Sequence, residues 1–197
     1  MFSQYGEDEQ LLKVFGDRKG RLLDIGSWHP IDKSNSRALI ERGWEAVLVE
    51  FSPYAVRELV KEYGGASCPP VEVLQAAISV TDRVMRKFLI TDDAVSTDNA
   101  DVGGTWKDAG GYYGSMWVPQ ITLETLLTQF GGGFDFVSID TEGTSADLAI
   151  HYLQNFEGPE AMIVEHDGRI DEIMHTAREK GYYERLRNGT NLMLVKL

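Results

Sequence analysis

Apolar residues in this chain gather into short, nearly continuous runs, separated by stretches in which they recur every three or four positions. Runs at Arg21 to Gly26, Ala46 to Phe51, Val71 to Ile78, Phe134 to Asp140 and Ala161 to Glu165 predict strands covered on both faces. The periodic stretches predict helices over Ser36 to Arg42, Pro53 to Tyr63, Leu123 to Phe130, Ser145 to Leu153 and Asp171 to Lys180. Ahead of them, Ser3 can cap a short helix to about Phe15 in which Leu11, Leu12 and Phe15 share a face. Strands that alternate with helices predict a parallel, doubly wound α/β sheet. The final segment differs: Tyr182 to Arg187 and Asn191 to Leu197 are strand-like and joined by Asn188-Gly189-Thr190, which predicts an antiparallel hairpin. Five parallel strands and this hairpin make a mostly parallel seven-stranded sheet.

One region breaks the alternation. Residues 92–119 are rich in glycine and carry Trp106, Tyr112, Tyr113 and Trp117 among polar residues. A solvated linker seldom holds so many aromatics, so a lid or substrate-binding loop is the favoured expectation, with a surface insertion as the alternative.

Composition narrows the classes. A length of 197 residues fits one domain, 1–197, with a core large enough to need neither disulfides nor metal staples. The 31 acidic against 19 basic residues give a formal charge of -12, which repels phosphate backbones and anionic lipid, so no nucleic-acid and no membrane partner is expected. The single cysteine, Cys68, has no internal partner and precedes two prolines, as a loop thiol in a reducing compartment would. The N-terminus lacks the basic and apolar regions of a secretory signal, which adds to the expectation of a cytoplasmic protein. Without secretion, the glycosylation pattern at Asn188 is a chance match.

Candidate chemistry starts where the first strand–helix–strand unit closes on an acid. Glu50 directly follows a buried run, where a carboxylate can accept both hydroxyls of a ribose, which suggests an adenosine-containing cofactor. The turn after the first strand holds one glycine, Gly26, followed by Ser27, Trp28, His29 and Pro30. Dinucleotide sites use three glycines to bring backbone amides against a pyrophosphate. This bulkier turn suits the uncharged sulfonium part of S-adenosylmethionine better. Ala77 and Ile78, after the third strand, can offer an amide and an apolar surface to an adenine. At the ends of the fourth and fifth strands, Asp140 and Glu142, and then Glu165, His166 and Asp167, face the same crevice by the rule for open sheets. Asp140 and His166 are the first candidates to take a proton, with Glu142 or Asp167 assisting and His29 as runner-up. Asp140, His166 and Asp167 form an alternative set around a divalent cation.

Taken in order, these motifs resemble the FkbM family of S-adenosylmethionine-dependent methyltransferases over most of the chain. The resemblance rests on Ser3-Gln4-Tyr5-Gly6-Glu7-Asp8, on Asp24 to Pro30 with Ser34-Asn35-Ser36 and Gly43-Trp44, and on Ala77-Ile78-Ser79. It continues through Ser96-Thr97, Val118-Pro119 with Ile121-Thr122-Leu123, and Phe134-Asp135-Phe136 running to Asp140-Thr141-Glu142-Gly143. It implies a Rossmann-like class I methyltransferase fold and O-methylation of a hydroxyl on a sugar, glycan or sugar-derived natural product. Cofactor contacts are implied at Gln4, Tyr5, Gly6, Asp24, Gly26, Ser27, Asn35, Glu50, Phe51, Ala77, Ile78 and Asp140. Ser27 and Trp28 depart from the family pattern at the cofactor turn. Two other readings stay open: a catalytically inactive cofactor-binding module acting through a partner, and an NAD-dependent oxidoreductase. A small-molecule or glycan acceptor is the expected partner, and a homo-oligomer is left open.

Overall fold

The computed structural model describes residues 1–65, 70–81, 84–90, 96 and 114–197. The main sheet has seven strands: β1 (Arg21–Ile25), β2 (Glu45–Glu50), β3 (Val71–Gln75), β7 (Phe136–Ile139), β8 (Ala161–Glu165), β9 (Tyr182–Arg187) and β10 (Asn191–Lys196). Their order is β3-β2-β1-β7-β8-β10-β9. The first five are parallel, whereas β10 runs antiparallel to both β8 and β9. The mostly parallel sheet with its C-terminal hairpin is therefore as the hydrophobic pattern predicts.

Alternation along the strands explains why they read as continuous apolar runs. On one face, Leu23, Ile25, Val47, Val49, Val137 and Ile139 pack under α4 (Leu123–Phe130), α5 (Ser145–Asn155) and α6 (Ile170–Glu179). On the other, Leu22, Ala46, Leu48 and Phe136 meet α1 (Glu7–Phe15), α2 (Arg37–Ile40) and α3 (Pro53–Tyr63), together with the fully buried Trp44. With both faces covered, no position along a central strand is left for a solvated side chain. Asp24 is therefore an exception that needs a reason, because it is a charged residue within β1 at 3% exposure.

Two expectations are corrected. The predicted strand Val71 to Ile78 breaks at Ala76, and its end becomes β4 (Ala77–Ser79) in a second, three-stranded sheet of order β4-β6-β5. Its partners are β5 (Met85–Ile90) and β6 (Gly114–Thr122), so residues 114–119 of the expected loop are a strand. Trp117 lies on β6 and is 62% exposed. Trp106, Tyr112 and Tyr113 lie outside the described residues. The first helix also starts later than expected, at Glu7, although the Ser3 hydroxyl still accepts the Asp8 N–H at 3.1 Å.

Glu7, fully buried, ties this N-terminal segment to the hairpin. Its carboxylate accepts the Tyr5 N–H at 2.9 Å and the side-chain amides of Asn188 and Asn191 at 2.8 and 2.7 Å. Among the described residues no helix is long and apolar enough to cross a membrane.

Candidate functional site

A cavity of about 320 Å³ opens at the carboxyl ends of β1, β2, β7 and β8, within the range of small-molecule sites. It lies at the switch point where chain order reverses between β1 and β7, which is where open α/β sheets bind ligands. β4 and β5 close it on one side, and Gln4 and Tyr5 on another.

The turn after β1 forms the floor. Gly26 has φ +85°, and a Cβ there would come within 1.6 Å of the Asp140 carbonyl oxygen, so only glycine lets the β1 and β7 ends approach. The Gly26 and Ser27 N–H groups both donate to the Val49 carbonyl, at 2.8 and 3.2 Å, and the Ser27 hydroxyl donates to the Asp24 carbonyl. These amides are spent inside the fold, which leaves them unavailable for a pyrophosphate. Trp28 follows with φ +42°, a strained conformation for a bulky side chain, and its N–H donates to Glu50 at 3.0 Å. His29 turns its Nδ1 to the Ile31 and Asp32 N–H groups and stays outside the cavity wall.

Glu50, 5% exposed, is fixed through both oxygens: one accepts Trp28 N–H, the other Ser52 N–H at 2.7 Å. Burial pushes its pKa up, against the opposing pull of the Ser52, Trp28 and Phe51 amides. The carboxylate also lines the cavity, where its remaining acceptor capacity can meet a ligand hydroxyl. Asp24 stands in the same wall, where burial raises its pKa to about 6 in spite of hydrogen bonds from the Ser36 and Ser138 hydroxyls. Asn35 reaches across to Ser138 at 3.3 Å. On the side of the small sheet, Ala77 and Ile78 are joined by Phe51, which stacks on Phe88 with ring centres 4.2 Å apart. Phe88 was not among the expected residues, and only its place on β5 brings it here.

At the opposite end, Asp140, Glu142 and Glu165 each offer an oxygen within 4.8 Å of the others. Burial raises the Asp140 pKa well above the ordinary carboxylate range, and repulsion from Glu165 and Glu142 adds to it. Burial also raises that of Glu165, which accepts the Ser145 hydroxyl at 3.0 Å and the Glu142 N–H at 3.2 Å. Glu165 belongs in this site by the rule that singled out Asp140, since it is the last residue of its strand.

Of the expected residues, Gln4, Tyr5, Asp24, Gly26, Ser27, Asn35, Glu50, Phe51, Ala77, Ile78, Asp140 and Glu142 come together in the wall. Three do not. Gly6 instead precedes α1 with φ +84°. His166 lies outside the wall: its Nδ1 accepts the Gly168 N–H at 3.1 Å, so Nε2 carries the hydrogen and donates to the Asn188 carbonyl at 3.3 Å. Both ring nitrogens thus serve the turn and the hairpin. Asp167 accepts the Ala146 N–H at 3.0 Å and so caps the N-terminus of α5, where a negative charge is stabilised. The expected cation set of Asp140, His166 and Asp167 is therefore not assembled.

No protein-family model and no curated protein matches the chain. Solved structures do. A hypothetical protein of Thermus thermophilus is 18% identical, with 99% of this chain and 87% of that one covered and a TM-score of 0.53. Precorrin-6y C5,15-methyltransferase of Geobacter metallireducens is 10% identical, with 96% and 86% covered and a TM-score of 0.52. Magnesium protoporphyrin IX methyltransferase of Synechocystis, solved with bound S-adenosylmethionine, is 12% identical, with 96% and 76% covered and a TM-score of 0.52. At these identities the likeness is one of fold. The chain has the α/β Rossmann-like fold of methyltransferases, with the sheet order and terminal hairpin described above.

Proposed function

We propose that this chain is an S-adenosylmethionine-dependent methyltransferase acting on a hydroxyl of a sugar, glycan or sugar-derived product, as its resemblance to the FkbM family implies. The observation that carries the cofactor is Glu50: a buried carboxylate at the end of β2, held through both oxygens by backbone N–H groups and facing a cavity at the switch point. Its rigidity suits it to accept two neighbouring ribose hydroxyls without first being ordered. Phe51, Ala77 and Ile78 offer an apolar slot for an adenine, and the Gly26-Ser27 turn, with Gln4, Tyr5 and Asn35, borders the remainder. The turn's own amides are engaged with Val49, which argues against a dinucleotide pyrophosphate.

When bound, the cofactor supplies an activated methyl group, whose carbon–sulfur bond breaks with the electron pair going to sulfur as the acceptor oxygen takes the carbon. The residues of the chain hold the acceptor hydroxyl in line and receive its proton. Asp140 is the group for that task, at the end of β7 beside Glu142 and Glu165, since His166 and His29 are committed elsewhere. A positioned base of this kind contributes about 10²–10⁴-fold.

A thermal-shift screen tests the cofactor. S-adenosylhomocysteine at ~100 times its Kd should stabilise the fold by about 2.7 kcal/mol, a rise of roughly 5–10 °C. A rise with NAD and none with S-adenosylhomocysteine refutes the proposal. Labelled methyl transfer to a panel of sugar hydroxyls then tests the acceptor class, and transfer confined to nitrogen or carbon acceptors refutes that part alone.

A further inference from the structure

The acidic end of the cavity gathers more oxygen donors than proton transfer needs. Besides the three carboxylates of Asp140, Glu142 and Glu165, the main charged neighbours acting on Asp140 include a further acid, Asp24. Like charges this close in a partly buried site repel one another.

A second observation, independent of the carboxylates, stands beside them. Asn191 lies in the wall of the same cavity at 5% exposure. Its Nδ2 donates to Glu7 at 2.7 Å, but its Oδ1 is buried and has no hydrogen-bond donor among the described residues. Turning the amide round would set an oxygen against the Glu7 carboxylate, so the orientation is fixed. In the ladder between β8 and β10, Asn191 lies directly opposite Glu165, which sets the two side chains next to each other on one face of the sheet. A buried carbonyl oxygen without a donor, next to clustered carboxylates, is matched by a positive ion.

We propose that Asp140, Glu142 and Glu165, with Asn191 Oδ1 as a fourth oxygen directly or through a coordinated water, form a site for a hard divalent cation such as Mg²⁺, Mn²⁺ or Ca²⁺. A set made only of oxygens selects this class over zinc or copper. The inference rests on the methyltransferase reading in one respect: at the acceptor end of the cavity the cation would take the acceptor hydroxyl as a further ligand and make its proton easier to remove. The bond changes of the transfer stay as given above, with the proton leaving to a carboxylate oxygen.

The test is Mn²⁺ binding to metal-stripped protein, with neither methyl donor nor acceptor present, followed by the electron paramagnetic resonance of free Mn²⁺ and by calorimetry. One site is expected at micromolar to millimolar affinity. Glu165→Gln and Glu142→Gln are isosteric and should each weaken it by about tenfold or more. Both should fold with a metal-free melting temperature at or above the parental one, because each removes a charge from a repelling cluster. If Glu165→Gln fails to fold, Glu142→Gln decides alone. No binding at millimolar Mn²⁺, or parental affinity in a folded variant, overturns the site. S-adenosylhomocysteine binding, measured on the metal-free protein, tests the methyl-donor reading separately, so either can fail without the other.

Discussion

Replacing Asp24 with asparagine should make the protein more stable at neutral pH and weaken its ligand site. Asp24 lies at 3% exposure within β1, and burial raises its pKa from 3.8 to about 6. For an acid whose folded pKa lies above its unfolded one, the native state binds more protons, so stability falls as pH rises through the interval between the two values. Well below pH 3.8 Asp24 is protonated in both states and costs nothing, and above pH 6 the full penalty applies. For these two pKa values the penalty is about 0.5 kcal/mol at pH 4, about 1.6 kcal/mol at pH 5 and about 3 kcal/mol at pH 8. The substituted asparagine carries no charge to bury, and the Ser36 and Ser138 hydroxyls can rotate to accept from its amide. Urea unfolding of Asp24→Asn and the parent, followed by tryptophan fluorescence, should therefore show a gain of about 2–3 kcal/mol at pH 8 that shrinks below about 1 kcal/mol at pH 4. A gain independent of pH, or a loss at pH 8, would refute the assignment of a buried ionised carboxylate. A charge kept at such a cost points to use in binding, so the more stable variant should also bind S-adenosylhomocysteine less tightly.

Three further outcomes follow from the site. Asp140→Asn should abolish methyl transfer while leaving S-adenosylhomocysteine binding near its parental value and the melting temperature at or above it, since a charge that burial disfavours is removed; unchanged turnover would remove Asp140 from the chemistry. Glu50→Gln should weaken S-adenosylhomocysteine by about 10–100-fold in calorimetry, the worth of a charge-assisted hydrogen bond, and an unchanged Kd would exclude it as the ribose acceptor. Gly26→Ala should lower stability by at least about 3 kcal/mol, or roughly 6–12 °C in Tm, because its Cβ meets the Asp140 carbonyl at 1.6 Å; a Tm within two or so degrees of the parent would show that β1 and β7 can separate at their ends.

The central strands were legible because burial on both faces writes continuous apolar runs, and Gly26, Glu50 and Asp140 were legible because they stand where such runs end. The small sheet was not. On β6 the exposed Trp117 and Pro119 alternate with the buried Val118 and Gln120, a pattern that reads as an aromatic loop until its partners β4 and β5 are known. The break at Ala76 has the same origin, since β4 leaves the main sheet only because β6 is there to receive it. The placing of His166 outside the wall was hidden for a different reason. What fixes its ring is the Asn188 carbonyl, 22 positions further along the chain, and no local pattern announces that bond. Glu165 was placed at the crevice by the strand-end rule but given no role beside the histidine that follows it.

The Glu7 latch has a consequence for how the protein is made. Its partners Asn188 and Asn191 come from the hairpin, and β10 is inserted between β8 and β9 rather than added at an edge. During synthesis, α1 and the Gln4-Tyr5 wall have nothing to fasten to until the hairpin, with Asn188 181 residues beyond Glu7, has followed. Meanwhile β8 presents an open, apolar edge, the kind of surface on which nascent chains pair wrongly. The cavity is thus completed by β10, and shortened chains that stop before Asn188 should come out as unlatched, aggregation-prone cores with no binding site to rescue them.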